Sequence, residues 1–243
     1  MIDFHFITEH FSAFFGGGQD RALFSSTDGL IMTLQLSFVS LFIGLVLALP
    51  MALLKVSKVR ALSWPITFFT YIFRGTPMLV QLFMIYYGFS QFDMVRDSWL
   101  WDYLQNAYVC AIIAFALNTA AYTTEIIAGQ IRTMPSGEIE AAKAMGMNTA
   151  QVMRRIVLPS ALRRALPMYS NEVIMIIHGT SIAGLITLAD LTGVARHLYS
   201  ETYHVFEPFL SAAAIYLVLT LSVVWLFKRA ERRWLAHLAP RHH

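Results

Sequence analysis

The chain of 243 residues has one cysteine and only 14% charged residues, where soluble domains carry about 25%. A single thiol, Cys110, excludes a disulfide framework, and its apolar setting makes it a small packing residue. No GxxxxGK[ST] phosphate loop occurs, so the chain has no recognisable means of hydrolysing ATP itself. The absence of HExxH and GxSxG weakens protease and hydrolase readings, and no other catalytic constellation stands out. There is no internal repeat, which argues against a stand-alone secondary transporter, since those usually carry inverted repeats. The start lacks the basic run of a cleavable signal peptide, and Asp3, Glu9 and Asp20 oppose one. The closing Arg241-His242-His243 is too short for a metal site, and no metal is expected.

What is abundant is apolar sequence, 57% of residues, arranged in runs near or above about 20 residues. The expected fold is all-α: a polytopic membrane bundle of about five transmembrane helices. The spans are placed at residues 29–54, 62–89, 107–131, 167–188 and 206–227. Residues 1–28 form an external or interfacial segment, whose Gly16-Gly17-Gly18 and Asp20 mark a turn and whose phenylalanines point to the membrane surface; residues 29–243 form one transmembrane domain. Ser40, Gly44 and Ala48 make a small-residue face for close helix contact. In the second span, Arg74-Gly75-Thr76-Pro77 predicts a kink or break, because proline removes a backbone donor and glycine weakens the helix. Trp99, Trp101 and Tyr103 read as an interfacial belt.

Lysine and arginine are asymmetric despite a net charge of only +3. Lys55, Lys58 and Arg60 follow the first span, six cations from Arg132 to Arg164 follow the third, and Lys228, Arg229, Arg232, Arg233 and Arg241 follow the fifth. Only Arg21, Arg96 and Arg196 lie on the other side. The expected orientation has the N-terminus outside and the C-terminus in the cytoplasm.

That orientation puts a polar run, SGEIEAAKAMGMNTAQVMRRIVLP at 136–159, on the cytoplasmic side. Ser136 is expected to cap a first short helix carrying Glu138 and Glu140 in its opening turns. Gly146 is expected to end it in the left-handed conformation. Asn148 with Gln151 forms a capping pair for a second helix, predicted to stop before Pro159 with Arg154 and Arg155 near its end. Without a partner, such a hairpin would lie on anionic lipid headgroups.

Glu140-Ala141-Ala142, Gly146, Ile156 and Leu158-Pro159 carry the spacing of the EAA signature, and on it the chain resembles the permease subunits of ATP-binding-cassette importers. FRGTP with Val80 and Gln81 is similar to their polar amino-acid uptake branch, and LNTAAYTTEIIAG, LPSALRRALPMYSNEVI and RAERRW resemble the histidine, lysine, arginine and ornithine group within it. The resemblance covers most of the chain from residue 29 onward. It implies an inner-membrane location, a second permease subunit (a related chain or a second copy), two cytoplasmic ATP-binding subunits and a periplasmic substrate-binding protein. ATP and Mg would be used by those ATP-binding subunits and no cofactor by this chain; membrane lipid is a partner and nucleic acid is not. It further implies that the 136–159 hairpin docks on the ATPase, with Glu140, Ala141, Ala142, Gly146, Arg154 and Arg155 as coupling residues. Ala141 and Ala142 would allow close approach, and the arginines would meet acidic groups.

Charges inside spans cost about 2.5–3.5 kcal/mol each, so Arg74, Glu125 and Glu172 need partners. At about 1.5 Å per residue, Arg74, Asn118 and His178 each fall about 18 Å from the cytoplasmic side. Arg74 suits a substrate α-carboxylate through a bidentate pair, with Thr76 and freed backbone beside it. Glu172 or Glu125 suits an ammonium or cationic side chain, and Asn118 and Asn171 suit neutral hydrogen bonds. The alternatives are an ion pair between Arg74 and a neighbouring helix, and asparagines that bond helix to helix. His178 stands near a position where related permeases often carry lysine, and is expected to be a hydrogen-bonded core histidine. The expected function is import of basic amino acids. An opine or another polar amino acid is the nearest alternative, with a channel or an ion-coupled carrier further off.

Overall fold

The computed structural model describes residues 4–15 and 28–234. The expected turn at Gly16-Gly17-Gly18, the charges Asp3, Asp20 and Arg21, and Arg241-His242-His243 lie outside the described residues. In chain order the helices are α1 (Phe4–His10), α2 (Leu30–Lys55), α3 (Arg60–Gly75), α4 (Met78–Phe83), the short α5 (Asp93–Arg96) and α6 (Trp101–Leu104), α7 (Ala107–Arg132), α8 (Ser136–Ala144), α9 (Thr149–Val152), α10 (Leu158–Gly179), α11 (Leu191–Thr202) and α12 (Phe206–Trp234). No strand is formed among the described residues; a single bridge joins Gly29 and Asp190.

Helices α2, α7 and α12 are each long and apolar enough to cross a membrane, and α3 together with Met78–Gln91 has that length and apolar content as a bent pair. The helix of the fourth expected span, α10, is less apolar, because it carries Arg163, Arg164, Asn171, Glu172 and His178. Helix α7 is the centre of the bundle: 67% of its apolar window is buried, against 17% for α12. The small-residue face of α2 explains how α7 is held. Ser40, Ala48 and Ala52 are fully buried. Gly44 lets the two helices touch, since a Cβ there would collide with Thr119 Cγ2 and press on the backbone of Ala116 and Ala120.

At one end of the bundle, Ala52 of α2 and Ile127, Ala128 and Ile131 of α7 pack with Ala142, Val152, Val157 and Ala161. The 136–159 hairpin is therefore seated on the span ends. At the opposite end, Gly29 takes φ +64 where a side chain would strike the Phe14 backbone. There Asp190 caps α11, accepting from Thr192 N (3.1 Å), Gly193 N (3.0 Å) and the Tyr216 hydroxyl (3.1 Å). Burial pushes the Asp190 carboxyl above the usual carboxylate range.

Three expectations are corrected here. Phe6 and Phe14 of the N-terminal segment are buried in the protein; Phe11 and Phe15 remain exposed. Pro135, not Ser136, is the N-cap of α8, and no side chain caps it. The second hairpin helix does not stop before Pro159. Residues Met153–Val157 widen into a π-turn that runs directly into α10, so the helix of the fourth expected span begins at Leu158 rather than at 167. The wider turn absorbs the proline's missing donor, and Pro167 is carried inside the helix.

Candidate functional site

The break in the second span follows from local rules. Proline disfavours helical backbone before it, and Thr76 is extended at φ −114, ψ 144. The two halves meet at 105°. The carbonyls freed by the break are taken by Gln81, whose Nε2 donates to Phe73 O (2.7 Å), Thr76 O (3.1 Å) and Thr76 Oγ1 (2.8 Å). Asn118 of α7 donates to Gln81 Oε1 (3.0 Å) and Phe73 O (3.3 Å). Both amides are buried. Asn118 is thus committed to joining helices, one of its two readings from sequence.

Beside the break opens a cleft of about 350 Å³, lined by Arg74, Thr76, Asn118, Tyr122, Glu172 and Met175 among others. Four of the five proposed substrate residues, Arg74, Thr76, Asn118 and Glu172, therefore share one cavity. Asn171 does not: it is exposed, one step round α10 from Glu172 and absent from the lining. Thr76 turns its hydroxyl to Ile72 O at 2.8 Å. Arg74 is 44% exposed, sits 3.6 Å from Glu125 Oε1 and lies over the Tyr122 ring at 5.2 Å. Glu125 already has stronger company in Lys55, paired with it and bonded to Thr70 Oγ1 at 2.7 Å, while Thr70 donates to Glu125 at 2.7 Å. Two cations, Lys55 and Arg74, thus face Glu125, and Arg74 also lies within electrostatic reach of Glu172 in the same cleft. Across it, Glu172 is 6% exposed and its Oε1 has no hydrogen-bond partner among the described residues.

Lys55, placed after the first span by the sequence, is the last residue of α2 and only 4% exposed. Gln81 and Tyr122 are the other site residues that sequence reasoning passed over as components. Their signals were a polar residue four past Pro77, and one helical turn between Asn118 and Tyr122. His178 lies outside the cleft. Its Nε2 shares a hydrogen bond with Thr220 Oγ1 (2.8 Å), yet the residue is exposed rather than in the core.

In the hairpin, Gly146 takes φ +82. Gly146 N donates to Lys143 O (2.9 Å) and Met147 N to Ala142 O (3.2 Å), a Schellman closure. Asn148 and Gln151 bond reciprocally at 2.9 Å. Glu140, Ala141, Arg154 and Arg155 are exposed. Ala142 is wholly buried beneath the hairpin, so it packs α8 on the span ends and presents no surface. Met145, which the sequence reading did not single out, stands 71% exposed beside the turn.

A membrane helix bundle with a polar cleft at a broken span, and a rigid hairpin seated on its span ends, is the membrane-embedded subunit of a solute transporter. Residues 40–236 match the family described as binding-protein-dependent transport system inner membrane component. The chain belongs to that family, the permease subunits of ATP-binding-cassette importers, which are transport subunits rather than ATPases. It is 50% identical over 203 residues to the octopine transport system permease protein OccM of Rhizobium radiobacter, covering 84% of this chain and 83% of that one. It is 47% identical over 213 residues to the histidine/lysine/arginine/ornithine transport system permease protein HisM of Escherichia coli, covering 87% and 90%. A solved structure of an amino acid ABC transporter with histidines superposes with a TM-score of 0.81 at 34% identity, over 96% of this chain and 99% of that one.

Proposed function

We propose that this permease carries basic amino acids, of the histidine, lysine, arginine and ornithine kind, through the cleft beside the broken span. The observation that carries the reading is Glu172: a buried carboxylate with an unpartnered oxygen, on the wall of a cavity whose rim holds the half-exposed Arg74. Buried charges need partners. A zwitterionic substrate with a cationic side chain supplies both signs, its carboxylate to Arg74 over Tyr122 and its cation to Glu172. Thr76 contributes the hydroxyl and extended backbone of the break, Asn118 holds that break in place, and Asn171 is left for a contact outside the cleft.

In this reading the N-terminus is outside and the C-terminus cytoplasmic, in a bacterial inner membrane, with residues 29–243 as the permease domain. A second permease chain, two ATP-binding subunits and a periplasmic binding protein complete the importer, and ATP and Mg act in the ATP-binding subunits. The 136–159 hairpin docks there through Glu140, Ala141, Met145, Arg154 and Arg155, with Gly146 setting its bend and Ala142 its seat. Its continuity into α10 supports a rigid path from the docking surface to Glu172.

Uptake by the reconstituted importer tests this. Glu172→Gln is expected to depress uptake of arginine and lysine far more than that of neutral amino acids. Equal loss for both classes would remove Glu172 from substrate contact. The similarity to the octopine permease favours a second reading. Octopine keeps the guanidinium of arginine, so Glu172 serves both substrates, and direct uptake of labelled octopine measured against labelled arginine separates the two readings.

A further inference from the structure

The cytoplasmic-side end of α12 carries a feature that neither the cleft nor the hairpin uses. Trp225, Lys228, Arg229, Arg232 and Arg233 fall at i, i+3, i+4, i+7 and i+8, a single stripe on one helix face. They line a concavity of about 470 Å³. All five are exposed, and none of the four cations has an acidic partner within 4.0 Å among the described residues. Arg229 lies over the Trp225 ring at 5.8 Å. Glu231 is the one acid on the same two turns, so the stripe keeps an excess of positive charge that an anion among the four cations would offset.

We propose that this stripe is a binding site for the headgroup of an anionic phospholipid. Depth argues for lipid over a protein partner. The uncharged stretch 208–227 is 20 residues of α12, about 30 Å at 1.5 Å per residue, which fills a hydrocarbon core of about 30 Å. From Lys228 to Arg233 the helix rises about 7.5 Å, the depth of one headgroup layer, about 5–7.5 Å. The cations therefore end where the headgroups end, and the exposed rings of Trp225 and Trp234 bracket them as interfacial anchors do. A phosphate lodged in the concavity would fix the end of α12, which packs on α10 through Tyr169 and Phe227 with rings 6.3 Å apart, and so steady the helix that carries Glu172. Which leaflet is bound rests on the orientation proposed above; the binding measurement does not.

The assembled importer, in nanodiscs of phosphatidylcholine with and without phosphatidylglycerol, is the material for the test. Native mass spectrometry is expected to find phosphatidylglycerol retained over phosphatidylcholine, with retention falling as salt rises. R232Q alone should weaken retention about fivefold, and K228Q/R229Q/R232Q/R233Q should abolish the preference. The control K58Q/R60Q neutralises two cations on the same side outside the stripe and should retain phosphatidylglycerol like wild type. Equal retention by the quadruple variant, or equal loss in the control, overturns the site. So does a quadruple variant that keeps its lipid but sheds the ATP-binding subunits, which would make the stripe a protein dock. A topology map that reverses the orientation would leave the retention result standing, so the two failures are distinguishable.

Discussion

Replacing Gln81 by Met tests whether one buried amide holds the broken span. Methionine keeps the length and flexibility of the side chain and removes every hydrogen bond. The loss can be followed group by group. Phe73 O keeps Asn118 Nδ2 at 3.3 Å, and Thr76 Oγ1 keeps its bond to Ile72 O at 2.8 Å. Thr76 O and one hydrogen of the buried Asn118 amide lose their partners. Each group left unsatisfied costs about 1–3 kcal/mol, and Thr76 is exposed enough to recover part from water. The expected destabilisation is about 2–4 kcal/mol, read from equilibrium unfolding in mixed micelles. A cycle with Asn118→Leu should give a coupling of about 1 kcal/mol, since the two amides share a bond. Transport by the assembled importer should fall as well, because Arg74 lies on the backbone between Phe73 and Thr76. Stability within about 0.5 kcal/mol of wild type would refute the reasoning. The 105° bend would then be held by proline and the surrounding packing alone.

Three further outcomes are expected. Gly146→Val meets open space, so its penalty is the left-handed backbone alone, about 1–2 kcal/mol; ATP hydrolysis by the complex should lose its link to uptake while membrane insertion stays normal, and undiminished uptake would count against the hairpin as the coupling element. Gly44→Leu should destabilise the bundle by about 1–3 kcal/mol through overpacking against Thr119, measured by thermal unfolding; a neutral result would deny close α2–α7 contact. Asp190 gives a pH signature. Its folded carboxyl is held above the ordinary value of 3.8 by burial, outweighing its bonds to Thr192, Gly193 and Tyr216 and the nearby Arg196. The folded state then holds this proton more tightly than the unfolded chain, so its contribution to stability falls as pH rises from 3.8 to the raised value, and is flat above it. Asp190→Asn should remove that slope from acid-range unfolding curves, and an unchanged slope would place its origin elsewhere.

Much of this architecture was legible along the chain because its signals are local. Apolar run length, a proline after Arg74-Gly75-Thr76, a glycine at 146 and the reciprocal Asn148–Gln151 pair each act within a few residues of where they are read. They gave the spans of α2 and α7 to within a residue at each end, the broken helix, and the bend and second cap of the hairpin. The π-turn at Met153–Val157 shows where local reading fails. Pro159 signals a helix end, yet the backbone had room to widen and continue, and that depended on seating Val152 and Val157 against α2 and α7.

Which polar residues meet is a different matter, decided by the third dimension. Lys55 and Glu125 are 70 residues apart, and nothing near Lys55 distinguishes a buried ion-pair partner from a loop cation. Asn171 and Glu172 are adjacent in sequence, but about 100° of helical rotation puts one outside the cleft and the other on its wall. Ala141 and Ala142 divide in the same way between presented surface and buried seat. By itself the sequence determined the helical class, the broken span, the bend of the hairpin and the family, since these rest on short-range pattern. Only the packing of α2, α3, α7 and α10 decided which charge is neutralised and which is left for a ligand, because that balance is set by distances of a few ångströms between segments far apart in the chain.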